Sequence, residues 1–325
     1  MFLCEIQSLP DERRGDVRAI RSRGGVAGAP AKRLKTIPPW TRVSGVTDVH
    51  VHIQPFEMLK PEVLEGMKRE RQDFDVFLRI AHDPRAFLEH LDAVGVERAC
   101  LINYVAPEVM GYTDKVNEYV VRYAEVDRER LIPFGSVHPL HTPEPEEAVR
   151  KLVREDHIGG LKIHPPHQLF EPNAYVHGDM PALRSLYAEA EDARVPVMIH
   201  TGTSVFPGAR ARFANPLAVD DVAVDFPNLR ILLAHGGRPF WCEEAFFLLR
   251  RHANVFLDIS SIPPKHLLKY FPRLEEISDK TLFGSDWPGP GVPGIAENLA
   301  AFRALPLSEQ AKHQILSENA RTLFP

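Results

Sequence analysis

Cysteine is scarce in this chain and never paired by spacing: Cys4, Cys100 and Cys242 are odd in number and far apart. That excludes a disulfide framework and any Cys-x-x-Cys redox or zinc motif. It suits a reducing cytoplasm, with Cys100 and Cys242 as small buried hydrophobes. Long apolar runs are missing as well, none approaching the roughly 20 residues that span a bilayer, so no membrane is expected as a partner. There is no apolar h-region for a secretory signal, and Asp11, Glu12 and Asp16 count against a transit peptide. Basic charge is sparse after the first forty residues. With 39 Lys and Arg against 44 Asp and Glu, a net charge of −5 argues against nucleic acid as a partner.

Residues 1–40 differ from the rest, mixing eight basic side chains from Arg13 to Lys35 with acidic residues and a Gly/Ala/Pro stretch. They read as a disordered extension without legible chemistry. From Val46 onward, short apolar runs alternate with helical patterns. The expected strands are 46–53, 98–105, 131–137, 159–165, 195–202, 230–236, 255–261 and 281–286. Each is rich in Val, Ile, Leu and Phe, as strands buried on both faces should be. Helical patterns lie between them, including Pro84–Val94, Met180–Ala193, His266–Ile277 and Ser308–Leu323, with Pro143 and Pro239 placed to begin helices. Eight such alternations predict an α/β fold, a (β/α)8 TIM barrel over 41–325. No Gly-rich loop follows a strand, which counts against an open dinucleotide-binding sheet. The stretch 56–90 is too long for a simple first connection and is expected to fold as short helices over the barrel mouth.

In such a barrel the C-terminal strand ends converge on one site. Here those ends carry His50 and His52 on the first strand, Lys162 and His164 on the fourth, His200 on the fifth, His235 on the sixth and Asp286 on the eighth. Alone, each has an ordinary explanation as a core, rim or turn residue. Together, imidazoles and a carboxylate form a nitrogen–oxygen donor set for Zn²⁺, Mn²⁺, Fe²⁺ or Co²⁺. Desolvating so many polar groups without a metal or substrate would be costly. Weaker candidates for substrate contact are Tyr104, His138, Arg238, Arg210 and Arg212, and Trp287 is expected to pack beside the cavity.

The motifs His50-Val51-His52, Lys162-Ile163-His164-Pro165, His200-Thr201-Gly202, His235-Gly236-Gly237 and Gly284-Ser285-Asp286-Trp287-Pro288 resemble those of the amidohydrolase superfamily. The resemblance is to the branch containing aminocarboxymuconate semialdehyde decarboxylase, and it spans about 45–325. It implies that His50, His52, His200 and Asp286 hold one divalent metal, zinc foremost. It implies that His235 acts on the proton of the reacting water and that Asp286 also carries a proton. Lys162 and His164 are left between substrate contact and, for a carboxylated Lys162, a second metal.

The implied function is metal-dependent hydrolysis of a C–N or C–O bond in a small molecule. The alternative is non-oxidative decarboxylation of a small carboxylic acid, and a third reading is a non-catalytic binding protein on the same barrel. Some decarboxylases of the branch have Glu in place of the first His of the pair. His50 therefore tips the sequence reading toward hydrolysis. A homodimer is expected from the resemblance alone.

Overall fold

A computed structural model describes residues 45–71 and 73–325 of the chain. The expected extension at 1–40 lies outside the described residues. Eight parallel strands follow in sequence order: β1 (Thr47–Val51), β2 (Arg98–Leu101), β3 (Leu131–Gly135), β4 (Gly160–Ile163), β5 (Val197–His200), β6 (Ile231–Ala234), β7 (Val255–Asp258) and β8 (Thr281–Leu282). Each falls within its expected run. The ring closes where the Val49 amide donates to Phe283 O, the Asp286 amide to His50 O and the His52 amide to Trp287 O, at 2.8–2.9 Å. The architecture is a (β/α)8 barrel.

Alternation along the strands separates two cores. On β5, Val197 and Ile199 face the outer helices, whereas Met198 belongs to an inner cluster with Cys100, Ile132, Phe134, Leu232 and Leu282. Leu323 and Phe324 join this inner cluster, the Phe324 ring lying 5.8 Å from that of Phe134. His200, two residues beyond Met198, faces the same interior at its other end.

The helices start and stop for local reasons. In α3 (Pro84–Val94) the Asp83 carboxylate accepts from the Arg85 amide at 2.9 Å and Pro84 occupies the first turn. Gly95, at φ 76°, then ends the helix in the left-handed region that favours glycine. Ser308 caps the last helical segment by accepting from the Ala311 amide. Two expected starts are displaced. Pro145 rather than Pro143 opens its helix, and the helix after β6 begins at Cys242, leaving Pro239 in the preceding loop. The pattern at 266–277 resolves into an α-helix, Pro264–Tyr270, and a separate 3-10 segment, Leu274–Lys280.

The stretch after β1 folds as a turn at Phe56–Met58, α1 (Pro61–Glu70), α2 (Phe74–His82) and the start of α3. The apolar face of α2 carries Phe74, Phe77, Ile80 and Ala81. Phe77 packs edge-on to Phe56 and Trp287, at 4.2 and 5.6 Å between ring centroids. Arg71 donates to the carbonyls of Pro288 and Val292, tying this cover to the loop after β8.

Candidate metal centre

A cavity of about 340 Å³ opens at the C-terminal end of the barrel. His50, His52, Lys162, His164, His200, His235 and Asp286 all line it, so every strand-end residue singled out above reaches one space. The His50 ring centroid lies 5.1 Å from that of His52 and 5.0 Å from that of His235, and His200 lies 4.6 Å from His235. His50, His235 and Asp286 each offer a ligating atom within 4.8 Å of the others.

Hydrogen-bond partners set the tautomers. His50 Nδ1 donates to Asp258 Oδ2 at 2.6 Å, His52 Nδ1 to the Ile102 carbonyl at 3.2 Å, and His235 Nδ1 to the Ser260 carbonyl at 2.9 Å. With Nδ1 donating, each ring turns its Nε2 toward the cavity, and in a neutral ring that Nε2 is a lone pair. Two of these Nε2 atoms meet the same oxygen. Asp286 Oδ1 lies 3.3 Å from His50 Nε2 and 3.0 Å from His52 Nε2. Three acceptors converging on one another repel unless a cation or a proton lies between them.

Burial reinforces this. It lowers the pKa of His50, His200 and His235 well below the usual imidazole range, with Lys162 adding to the effect at each of them, so the rings are neutral. Burial also works to raise the Asp286 pKa, but a hydrogen bond accepted from His52 Nε2, the arrangement in which a proton rather than a cation lies between the two, holds it well below the usual carboxylate range. His50 Nε2, His200 Nδ1, His164 Nδ1 and Lys162 Nζ are buried without a hydrogen-bond partner. Lys162 is driven down to about 8 by burial, against the opposing pull of Asp258 and Asp286. Orphaned nitrogens around an ionised carboxylate fit a divalent cation.

The backbone is strained at this place. His235 and Asp286 both hold φ 66°, in the left-handed region that non-glycine residues seldom adopt. Gly284 is required by close approach, because a Cβ there would lie 2.5 Å from Asp258 Oδ1 and 2.9 Å from His50 Cβ.

Sequence reasoning missed Asp258, Ser260 and His167. Asp258 ends β7 and accepts from His50, from the Ser260 amide and from Ser260 Oγ. An Asp closing an otherwise apolar strand was the available signal. His167 lies three residues after His164, one turn along the short helix Pro165–Gln168, and stacks on it at 3.6 Å. Its Nδ1 meets Tyr104 OH at 3.1 Å and its Nε2 meets Ser204 Oγ at 2.7 Å.

Among the weaker candidates, Tyr104 and Arg238 line the cavity. Arg210 and Arg212 do not: both are exposed, and Arg212 packs over Phe213. His138 is buried elsewhere, after β3. Trp287 lies behind the cavity rather than on its wall, packed against Phe77, Phe87 and His90.

Residues 47–325 match the Amidohydrolase family. The chain belongs to the amidohydrolase family. Within it, gamma-resorcylate decarboxylase of Rhodococcus jostii is 24% identical over 258 residues, covering 65% of this chain and 75% of that protein. The 2-keto-4-carboxy-3-hexenedioate hydratase of Sphingobium is 27% identical over 167 residues, 43% of this chain and 49% of that one. Among solved structures, a dihydroxybenzoic acid decarboxylase from Polaromonas, with bound manganese and 2-nitroresorcinol, superposes with a TM-score of 0.59. That match has 15% identity and covers 86% of this chain and 96% of the other. These amidohydrolase relatives are enzymes acting on small molecules. Among the described residues of this amidohydrolase no helix is long and apolar enough to cross a membrane.

Proposed function

We propose that this amidohydrolase is a divalent-metal-dependent lyase that releases CO₂ from a small unsaturated or aromatic carboxylate. The observation that carries the reading is the convergence of His50 Nε2 and His52 Nε2 on Asp286 Oδ1, inside a cavity with cationic and aromatic walls. His50, His52, His200 and Asp286 would hold one ion, zinc or manganese. When bound, that ion supplies Lewis acidity at the cavity floor. The decarboxylase and hydratase names of the relatives support this reading over the hydrolysis that His50 favours from sequence.

The chain's own groups divide the rest of the work. Lys162 and Arg238 present positive charge to a substrate carboxylate. Arg238 is held in place by donating to Thr203 O and Ser261 Oγ. Tyr104, Tyr112, Phe56 and Phe206 give a planar substrate aromatic surface. The Ser260 carbonyl fixes the Nδ1 proton of His235, so its Nε2 accepts a proton from a substrate hydroxyl or water and returns it. As the carbon–carbon bond breaks, its electron pair stays on the substrate carbon, CO₂ departs, and one proton delivered by His235 or Asp286 forms the new C–H bond. Lys162 acts as an uncarboxylated ammonium, without a second ion beside it.

The test incubates protein loaded with Zn²⁺ or Mn²⁺ with 2,6-dihydroxybenzoate and a panel of aromatic and unsaturated carboxylates, following CO₂. The expected result is CO₂ equal to substrate consumed by the loaded protein and none from the stripped protein. Cleavage of esters, lactones or amides with no CO₂ would return the account to hydrolysis. Binding without turnover of either kind would leave a binding protein. Sedimentation checks the expected homodimer.

A further inference from the structure

Away from the cavity a second set of ligating side chains comes together. Glu108 lies on the loop after β2, which is pinched by the bridge between Ala106 and Tyr112, and His138 and His141 lie on the loop after β3. One ligating atom from each of the three lies within 4.8 Å of the others. His141 Nε2 pairs with Glu108 Oε1, and the rings of His138 and His141 meet edge to face with 4.4 Å between centroids. None of the three lines the cavity.

We propose that Glu108, His138 and His141 form a second divalent-cation site, of the zinc type, joining the β2 loop to the β3 loop. The anchor is His138. It is 1% exposed, its Nε2 has no hydrogen-bond partner, and its Nδ1 receives only the Leu140 amide at a long 3.3 Å. A buried imidazole normally has stronger partners than these. Burial, with His141 beside it, lowers its pKa to about 4, so the ring is neutral; taking a cation on Nε2 moves its one proton to Nδ1 and gives up the long Leu140 contact. The loop that carries it is already ordered. The His138 amide donates to Thr142 Oγ1 at 2.9 Å, and Thr142 Oγ1 donates to Asp114 Oδ1 at 2.6 Å.

Two imidazoles and one carboxylate suit Zn²⁺, Co²⁺ or Ni²⁺, whereas Ca²⁺ and Mg²⁺ favour oxygen alone. Zinc bonds of about 2.0–2.2 Å put tetrahedral donors roughly 3.4 Å apart. The side chains of Glu108 and His141, 37% and 43% exposed, can rotate to that spacing around the fixed His138. Their exposure also leaves the fourth position to water.

Such an ion would stiffen one wall of the cavity. Tyr104, Met110 and Tyr112 line the cavity from the segment that carries Glu108. The same segment supports the cover through the Lys60 amide, which donates to Met110 O. The inference does not depend on what the cavity catalyses.

The test titrates metal-stripped full-length protein with Zn²⁺ and counts the metal retained after desalting. Wild type is expected to hold two equivalents, and Glu108→Gln and His141→Ala one each. Asp286→Asn should keep the equivalent that those two variants lose. Affinity for the lost equivalent should fall by more than the roughly 10–100-fold that an outer-shell partner is worth. Both altered side chains are partly exposed, so folding is preserved. Unchanged stoichiometry and affinity in Glu108→Gln and His141→Ala would overturn the inference. If wild type binds one equivalent, its loss in Asp286→Asn but not Glu108→Gln overturns this site and leaves the cavity reading intact. The reverse pattern supports this site and removes the other.

Discussion

The two ends of the barrel interior are built on the same strands, two residues apart, and they do opposite things. Met198 and His200 share β5, and Phe256 and Asp258 share β7; in each pair the first residue packs with the inner cluster and the second is polar and close to or on the cavity. At the lower end Ile132, Phe134, Met198, Leu232 and Leu282 are sealed by Leu323 and Phe324. The side chains there are hydrophobic, so burial stabilises the fold at about 25 cal/mol per Å² of apolar surface. At the upper end five imidazoles, an ammonium and two carboxylates are removed from water, and several of their nitrogens have no partner. Burial there costs stability, and the strained φ of His235 and Asp286 adds to the cost. The contrast teaches that the barrel is held together from below and carries its chemistry above.

Four changes break or sharpen that contrast. The largest effect is expected from His235→Asn, which removes the proton acceptor of the upper layer but none of the four proposed ligands. Turnover should fall by about 10²–10⁴-fold with metal content retained, and an unchanged kcat would reject the proton role. Phe134→Ala, in the lower layer, should cost about 3–5 kcal/mol. At about 2–4 °C per kcal/mol the melting temperature falls steeply. Metal content and kcat of the folded fraction stay as they were, and a loss of metal would show that the two layers are not separable.

Asp258→Asn tests the support beneath the centre. It weakens the partner that fixes the His50 tautomer and should lower metal affinity or activity by about 10–100-fold. Wild-type affinity would mean that His50 is oriented without it.

The smallest effect concerns Asp48, two residues before His50 on β1. Burial raises its pKa to about 7 despite hydrogen bonds from Ser285 and the His50 amide. A carboxyl whose folded pKa exceeds its unfolded value stabilises the fold below that unfolded value, 3.8, and the contribution is lost as pH rises through about 7. Asp48→Asn keeps an oxygen acceptor for those amides and cannot ionise. The melting temperature of the variant relative to wild type should therefore climb between about pH 4 and 8. A constant difference across that range would show that Asp48 titrates normally.

The strands were legible because each is buried on both faces, which leaves short apolar runs such as Val197–His200 standing out between helical patterns. The strand-end histidines were legible for the related reason that a polar residue closing an apolar run has little to do in a core. Asp258 escaped because the expected strand ran on to 261, which put Asp258 inside it rather than at its end, and because its role depends on His50, 208 residues away in sequence. Trp287 packs beside the cavity as expected, but its position next to Asp286 says nothing of the cover, whose Phe77 meets the ring from behind. Arg210 and Arg212 reach solvent because the direction of a loop depends on packing that local sequence does not encode.

The central claim is that the upper layer is assembled around a cation, and anomalous diffraction from crystals soaked with zinc tests it most directly. The account predicts one ion about 2.0–2.2 Å from Nε2 of His50, Nε2 of His52 and an Asp286 oxygen. Crystals equally soaked that show only ordered water, or direct contacts between those groups, with no anomalous signal among them would contradict it.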